Sequence, residues 1–225
     1  MGMDSGVKTR WIVSAGLAMA MACGVAHAQK GTASKPAEES EVTSEPVPPQ
    51  VVAAASAAVA KLGDEVVLGR YQVAVERMYP LWKERAAKRM GGMDVLEKQL
   101  AGVGAQMVQQ GISIISFKPQ GQPRAYEVVP GTKVVKENGV SVSKLVYTKW
   151  MVLVPTVRKI RIQREGVLKA VVIESTGYQV AISDKGKNDW TFMDGADLKL
   201  NDLRGLFVTL PQNLELPPVE QRESR

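Results

Sequence analysis

The chain has 225 residues, with 29 Lys and Arg against 23 Asp and Glu, which gives a formal net charge of +6 and a pI near 9.4. It contains one Cys and one His, so a disulfide framework within the chain and a zinc site built from several Cys and His residues are both excluded. The positive charge is modest, and it favours solubility over binding to nucleic acid.

Residues 1–28 have the organisation of a cleaved secretory signal peptide. Lys8 and Arg10 precede an apolar stretch over residues 11–25, and Ala-His-Ala at 26–28 fits the small-residue cleavage pattern. The apolar stretch is about fifteen residues long, which is shorter than the roughly twenty that span a bilayer. We therefore expect an exported protein, periplasmic or secreted, with no transmembrane segment after cleavage.

Cleavage at this site has a chemical consequence, because it removes both Cys23 and His27. The mature chain then has neither thiol nor imidazole, which excludes Ser-His-Asp and Cys-His nucleophilic catalysis. General acid–base catalysis would be left to carboxylates, Tyr and Lys. The two alternatives to this cleavage are an uncleaved N-terminal anchor and lipoprotein processing at Cys23.

Three further segments follow the signal peptide. Residues 29–50 are rich in Pro, Ser, Glu and Lys and contain few apolar residues. Such a segment cannot bury enough apolar surface to offset the entropy of ordering, so it is predicted to be a disordered linker. Residues 51–218 are predicted to form one domain, and residues 219–225 a flexible tail.

The first half of the domain is predicted to be helical. Residues 51–62 are Ala-rich and favour a helix, which Gly63 is expected to interrupt. Apolar residues at helical spacing continue beyond it, and Pro80 is expected to kink or restart the helix. The Gly-Gly pair at 91–92 is expected to end this segment before a second amphipathic helix.

From residue 112 the pattern changes to the alternation typical of β-strands. Asn138-Gly139 lies between two alternating runs and predicts a two-residue hairpin turn. Later strands and a short helix that ends near Pro211 complete an antiparallel meander. Because helices and strands are segregated along the chain, the predicted class is α+β. We expect the N-terminal helices to pack in the concave side of a curved antiparallel sheet, with a short C-terminal helix.

A series of short motifs occurs in a fixed order between residues 63 and 218. They are Tyr79-Pro80, Gly91-Gly92, Ala181-Ile182-Ser183, Asp184-Lys185-Gly186-Lys187, the Trp-x-Phe-x-Asp-Gly run at 190–195, and the Leu-rich steps at 206–217. This order resembles the NTF2-like superfamily, an α+β cone, and within it an exported bacterial branch. The extra hairpin near 126–143 and the basic strand at 158–163 depart from the pattern.

The resemblance implies a fold more firmly than an activity. The superfamily includes isomerases, dehydratases, binding proteins and structural assembly modules, so analogy of fold cannot choose among them. Its His/Asp catalytic arrangements do not carry over to a mature chain without His.

A ligand site is predicted where two strands would present polar groups on an apolar wall. Glu174 and Tyr178 share one face of a strand, and Trp190 and Asp194 share a face of the next strand. If both faces look into the cone, this composition is typical of a small-molecule pocket. The candidate ligand-binding residues are Tyr79, Trp82, Glu174, Tyr178, Trp190 and Asp194. The alternative interpretation is that these carboxylates face solvent or cap turns and that the aromatic residues fill the core.

The observations favour an exported, soluble binding protein without catalysis, which binds a small apolar or amphipathic ligand or a protein partner. One alternative is an isomerase- or dehydratase-type enzyme with Glu174 or Asp194 as base and Tyr178 as hydrogen-bond donor. Another is a structural envelope-assembly module. No cofactor, metal or nucleic-acid partner is expected. A homodimer through the open sheet face is expected for this architecture.

Overall fold

The computed structural model describes residues 47–137, 139–163, 169–196 and 198–223. The predicted signal peptide and residues 29–46 of the predicted linker lie outside these ranges. The helices are α1 (Pro49–Val67), α2 (Gln72–Glu76), α3 (Pro80–Met90), α4 (Met93–Gln109) and α5 (Leu200–Leu206). The strands are β1 (Ile112–Pro119), β2 (Arg124–Glu137), β3 (Val140–Ile162), β4 (Val171–Asp184), β5 (Thr191–Asp194) and β6 (Glu220–Glu223). This order confirms the α+β class.

α1 continues through Gly63, so the expected interruption there is wrong. The reason lies in packing, because a Cβ atom at Gly63 would be only 2.5 Å from the backbone oxygen of Phe117 in β1. Glycine therefore lets the helix lie directly against the strand. The other predicted breaks are confirmed. Pro80 is the first residue of α3, and Gly91 ends that helix in the left-handed conformation, with φ of 91°.

The strands of the described ranges form one curved antiparallel sheet that does not close into a barrel. β3 is its central strand. β4 pairs with one edge of β3, while β1 and β2 share the other edge, β1 opposite residues 156–162 and β2 opposite residues 140–153. β5 and β6 share the outer edge of β4 in the same way. The expected simple meander is therefore wrong, since β1 pairs with β3 and not with β2.

The central strands are apolar on both faces. The α1 face is defined by Val152, Val154 and Ala181, which belong to the same core cluster as the buried side of α1. The α5 face is defined by residues that belong to a second core cluster with α5 and the segment after it. These residues are Met151, Leu153, Tyr178, Val180 and Ile182. A sheet buried on both faces explains why this stretch of sequence is almost continuously apolar.

The C-terminal residues include a short strand that the sequence does not predict. β6 pairs with β4 through the register Ile173↔Glu223 to Thr176↔Glu220, although all four of its residues are exposed. The flexible tail predicted from residue 219 thus includes four residues that pair as a strand. The physical reason is that β5 covers only residues 179–182 of the outer edge of β4, which leaves backbone groups further along that edge available for pairing.

Within the described residues, every helix is either too short or too polar to cross a bilayer.

Candidate functional site

The six predicted ligand-binding residues are divided between the two faces of the sheet. β5 pairs with β4 in the register Gln179↔Asp194, so Asp194 shares the α1 face with Gln179. Tyr178 is one residue away along β4 and therefore points to the α5 face. The pocket wall predicted from the sequence requires the side chains of Asp194 and Tyr178 on the same face of the sheet. The structure does not bring Asp194 and Tyr178 together in that way.

Tyr178 and Tyr79 are both packed into the α5 face. The Tyr178 side chain is buried, and its hydroxyl donates a hydrogen bond of 3.3 Å to the carbonyl of Leu198. Burial, with the negative charge of Asp194 as a smaller contribution, raises the pKa of Tyr178 to about 12. The Tyr79 ring lies 5.6 Å from the ring of Phe207, and burial also raises its pKa. Both phenols are therefore neutral core groups near neutral pH.

The two predicted tryptophans lie apart from each other. Trp82 is partly buried at the border of the α5-face cluster, with the guanidinium of Arg89 at 5.1 Å from its ring centroid. Trp190 is buried in the α1-face cluster, and its indole N–H donates a 2.6 Å hydrogen bond to the side-chain oxygen of Asn188. Each aromatic ring is thus held by its own local partner.

Glu174 lies beyond the apolar part of the α5 face, between two basic side chains. The Nε–H of Arg222 donates to its carboxylate at 3.1 Å, and the Nζ of Lys159 lies 3.9 Å away. The hydrogen bond from Arg222 lowers the pKa of Glu174. A carboxylate stabilised in its ionised form is a weak proton acceptor, so this environment does not favour the role of general base.

Asp194 pairs with a buried arginine that the sequence interpretation missed. Arg158 extends from β3 across the α1 face, and its two terminal nitrogens lie 2.9 Å and 3.3 Å from the two oxygens of Asp194. Only 7% of Arg158 is exposed. Its guanidinium passes over Gly177, where a Cβ atom would lie 3.6 Å from Nη2, and it lies 5.4 Å from the ring centroid of Phe117. Asp194 also accepts the backbone N–H of Ala196 at 2.9 Å.

The alternation of inward and outward side chains along β3 already indicates that Arg158 points inward. Arg158 was grouped with the basic residues of the strand at 158–163, but it has the same parity as Ile160 and Ile162, which are the inward residues. The Nε of Arg158 and the hydroxyl of Thr156 are buried without a hydrogen-bond partner among the described residues. This cluster therefore has a small unused hydrogen-bonding capacity on the α1 face.

A second feature is a two-stranded arm formed by residues 132–146 of β2 and β3. β4 ends at Asp184, opposite Lys149, so the preceding residues of β3 pair only with β2 among the described elements. The register Glu137↔Val140 confirms the predicted two-residue turn, although Asn138 itself lies outside the described residues. The arm projects past the rest of the sheet.

The surface of the arm combines exposed apolar and basic side chains. Val134 and Val140 are each 64% exposed, and Val142 is 36% exposed. Lys133 is directly opposite Lys144 in the register, and both are exposed. The outer edge of β2 pairs with no strand in the described part of the chain. Open strand edges with apolar side chains are a template for the addition of another strand.

The base of the arm is held in place by side chains. Val129 has a φ of 61°, a conformation that β-branched residues rarely adopt, and the hydroxyl of Thr148 donates to its carbonyl at 2.9 Å. Lys185 forms an ion pair with Glu127, and its Nζ lies 4.3 Å from the ring centroid of Trp150. These contacts fix the direction in which the arm leaves the sheet.

Among the described residues, no group of three or more Asp, Glu, His or Cys side chains is arranged to hold a metal ion.

No family model, curated protein or solved structure matches the chain. The NTF2-like resemblance therefore stays a prediction.

Proposed function

We propose that the chain is an exported binding protein without catalytic activity, and that the arm binds a partner protein by adding a strand of that partner to the open edge of β2. The observation that carries this proposal is the exposure of Val134, Val140 and Val142 on a hairpin with no covering element in the described residues. Strand addition obtains affinity from backbone hydrogen bonds and specificity from alternate side chains.

The environments of the predicted catalytic groups support a binding role over an enzymatic one. Glu174 is held ionised by Arg222, and Asp194 is engaged by Arg158. Tyr178 donates its hydroxyl to a backbone carbonyl inside the core. Because the six candidate residues are spread over two faces, a protein partner is also favoured over a small ligand enclosed between them.

We also propose that the domain is an NTF2-like cone. The support is the succession of N-terminal helices, a curved antiparallel sheet and a short C-terminal helix. The packing of α1 against one face of that sheet adds to it. The arm is then the local addition that distinguishes this chain from the pattern of the superfamily.

Photo-crosslinking in the producing cells tests the proposed arm site. A photoreactive amino acid at position 134 and one at position 140 should each give an adduct with one common partner protein, whereas the matched position 108 should give none. Val108 is a suitable control because it is 75% exposed and lies on α4, away from the arm. Cofractionation of the chain with the envelope or medium tests export in the same cells.

The purified partner then permits a quantitative test. The double variant Val134→Asp/Val140→Asp should weaken the Kd at least about tenfold, which corresponds to 1.4 kcal/mol, while Val108→Asp should leave it unchanged. Equal labelling at position 108, or adducts only with other copies of this chain, contradicts the proposal.

A further inference from the structure

The sequence of this chain contains an acidic segment whose length and charge suit the basic outer edge of β2. We propose that the acidic segment at residues 38–45 docks along the outer edge of β2 and occupies the arm in cis, so that a partner must displace it. This inference rests on the proposed function, because it assigns a regulatory occupant to the same site. Its support lies in the direction of α1, the length of the chain before α1 and the charges of the two segments.

The direction of α1 points the start of the described chain toward the arm. Gly63, toward the end of α1, lies against Phe117 of β1. Tyr71, just after α1, lies against Gly104 of α4, and α4 leads into the start of β1 at Ile112. The C-terminal end of α1 is therefore at the Ile112 end of β1, and its N-terminal end points the opposite way, toward the base of β2.

The chain before α1 is long enough to reach the whole arm. Residues 38 and 47 are nine positions apart, which spans about 30 Å in an extended conformation. β2 covers a similar distance of about 30 Å from Val128, at the base of the arm, to Glu137 beside the turn. With residue 38 beside the turn and Val47 beside the base of the arm, the segment runs in chain direction from the turn to the base. It is then antiparallel to β2, which is the orientation of the paired strands of this sheet.

The charges of the two segments are complementary. The segment contains Glu38, Glu39, Glu41 and Glu45, and it has no Lys or Arg from position 36 to position 45. The arm presents exposed Lys133 and Lys136, and Lys133 faces Lys144 directly across the strand pair. Like charges placed directly opposite each other are unfavourable in a sheet, and a row of carboxylates along the edge relieves that repulsion.

The same charges argue against a second copy of the arm as the occupant. If two arms paired edge to edge, each would bring its own Lys133 and Lys136 to the shared edge. This arrangement adds repulsion where an acidic strand adds attraction. A cis segment also has the advantage of a high effective concentration, because it is tethered at Val47.

Zero-length carbodiimide crosslinking of the purified full chain tests the contact, since it joins a Lys amine to a carboxylate only where the two touch. Lys133 and Lys136 should crosslink to Glu38, Glu39, Glu41 or Glu45, and exposed Lys98 on α4 should not. A mixture of ¹⁴N- and ¹⁵N-labelled chains separates crosslinks within one chain from crosslinks between two. The crosslinks should disappear at high salt.

Hydrogen exchange supplies a second measurement with matched variants. Replacement of Glu38, Glu39, Glu41 and Glu45 by Gln should speed amide exchange in residues 132–137 about fivefold or more. Replacement of Lys30 and Lys35 by Gln, in the same part of the chain, should leave it unchanged. Crosslinks only between chains, or no crosslinks and unaltered exchange, overturn the cis contact.

The failure of this inference is distinguishable from the failure of the proposed function. The carbodiimide and exchange experiments need no partner, so they report the cis contact alone. If the cis contact is absent and position 134 still gives a partner adduct, the arm remains a binding site. If both are correct, the Gln variant should increase the yield of the partner adduct.

Discussion

At the scale of single residues, Gly63 sets the distance between α1 and β1. We predict that Gly63→Ala lowers the free energy of unfolding by about 1–3 kcal/mol, since its Cβ atom would lie 2.5 Å from the Phe117 oxygen. Gly102→Ala in α4 is the matched control, because no atom beyond its chain neighbours and the backbone of its own helix lies within 4 Å of the added Cβ. It should raise stability by up to about 1 kcal/mol. Urea denaturation measures both, and equal stabilisation by the two substitutions contradicts the packing argument.

Tyr178 predicts a specific loss of stability at alkaline pH. Its pKa is raised from 10.0 to about 12 in the folded protein, so the neutral phenol is favoured by folding. This contribution is complete below pH 10 and is lost as the pH rises toward 12, by about 2–3 kcal/mol. Denaturation curves recorded across this pH range for the natural chain and Tyr178→Phe measure it.

The Tyr178→Phe variant separates this ionisation from that of the lysines. It loses the hydrogen bond to Leu198 and should therefore be less stable by about 1 kcal/mol near neutral pH. Its stability should nevertheless fall less steeply between pH 10 and pH 12. Parallel slopes for the two proteins would show that the Tyr178 hydroxyl is not responsible.

Arg158 and Asp194 show what single-sequence reasoning could and could not find at this scale. The inward parity of Arg158 follows from Ile160 and Ile162, so its burial was predictable. Its pairing with Asp194 was not, because it depends on the register Gln179↔Asp194 between β4 and β5. A shift of one residue would move Asp194 to the opposite face, and no local sequence rule sets that register.

At the scale of elements, the arm is a hairpin that the rest of the fold does not require. We predict that a chain in which residues 133–144 are replaced by Asn-Gly, so that Thr132 and Leu145 flank a two-residue turn, folds normally. The change in unfolding free energy should be within about 1 kcal/mol, since the described side chains removed are exposed. Near-UV circular dichroism and thermal melting test this expectation. A broad or absent melting transition would mean that the arm contributes to the core.

The element boundaries that the sequence predicts correctly are those set by local backbone chemistry. Pro80 begins a helix, Gly91 ends one, and β2 and β3 pair from Glu137↔Val140, on either side of the predicted turn. The boundaries that it predicts wrongly depend on distant packing. α1 passes through Gly63 because β1 lies beneath it, and β6 forms because β4 offers an open edge.

At the scale of the whole molecule, the central sheet is covered on both sides by different parts of the chain. α1 covers the α1 face, and α5 with the segment after it covers the α5 face. The segregated order of helices and strands made the α+β class predictable, but it gave no information about which face each helix covers. The sequence of a buried apolar strand pair such as β3 and β4 has the same pattern whichever helix covers each face.

Two truncations of the C-terminal segment should therefore lower stability by very different amounts. A chain that ends at Pro218 loses residues 219–225, of which the described ones are all exposed, together with the exposed ion pair between Arg222 and Glu174, so its melting temperature should fall by no more than about 4 °C. A chain that ends at Gly195 loses five buried apolar side chains of the α5-face cluster, which are Leu198, Leu203, Phe207, Leu210 and Leu214. At about 2 kcal/mol each, this loss of about 10 kcal/mol matches the whole stability of a typical domain, so the shorter chain should show no cooperative unfolding by calorimetry. A cooperative transition in that chain would mean that α1 and the sheet fold without a covered α5 face.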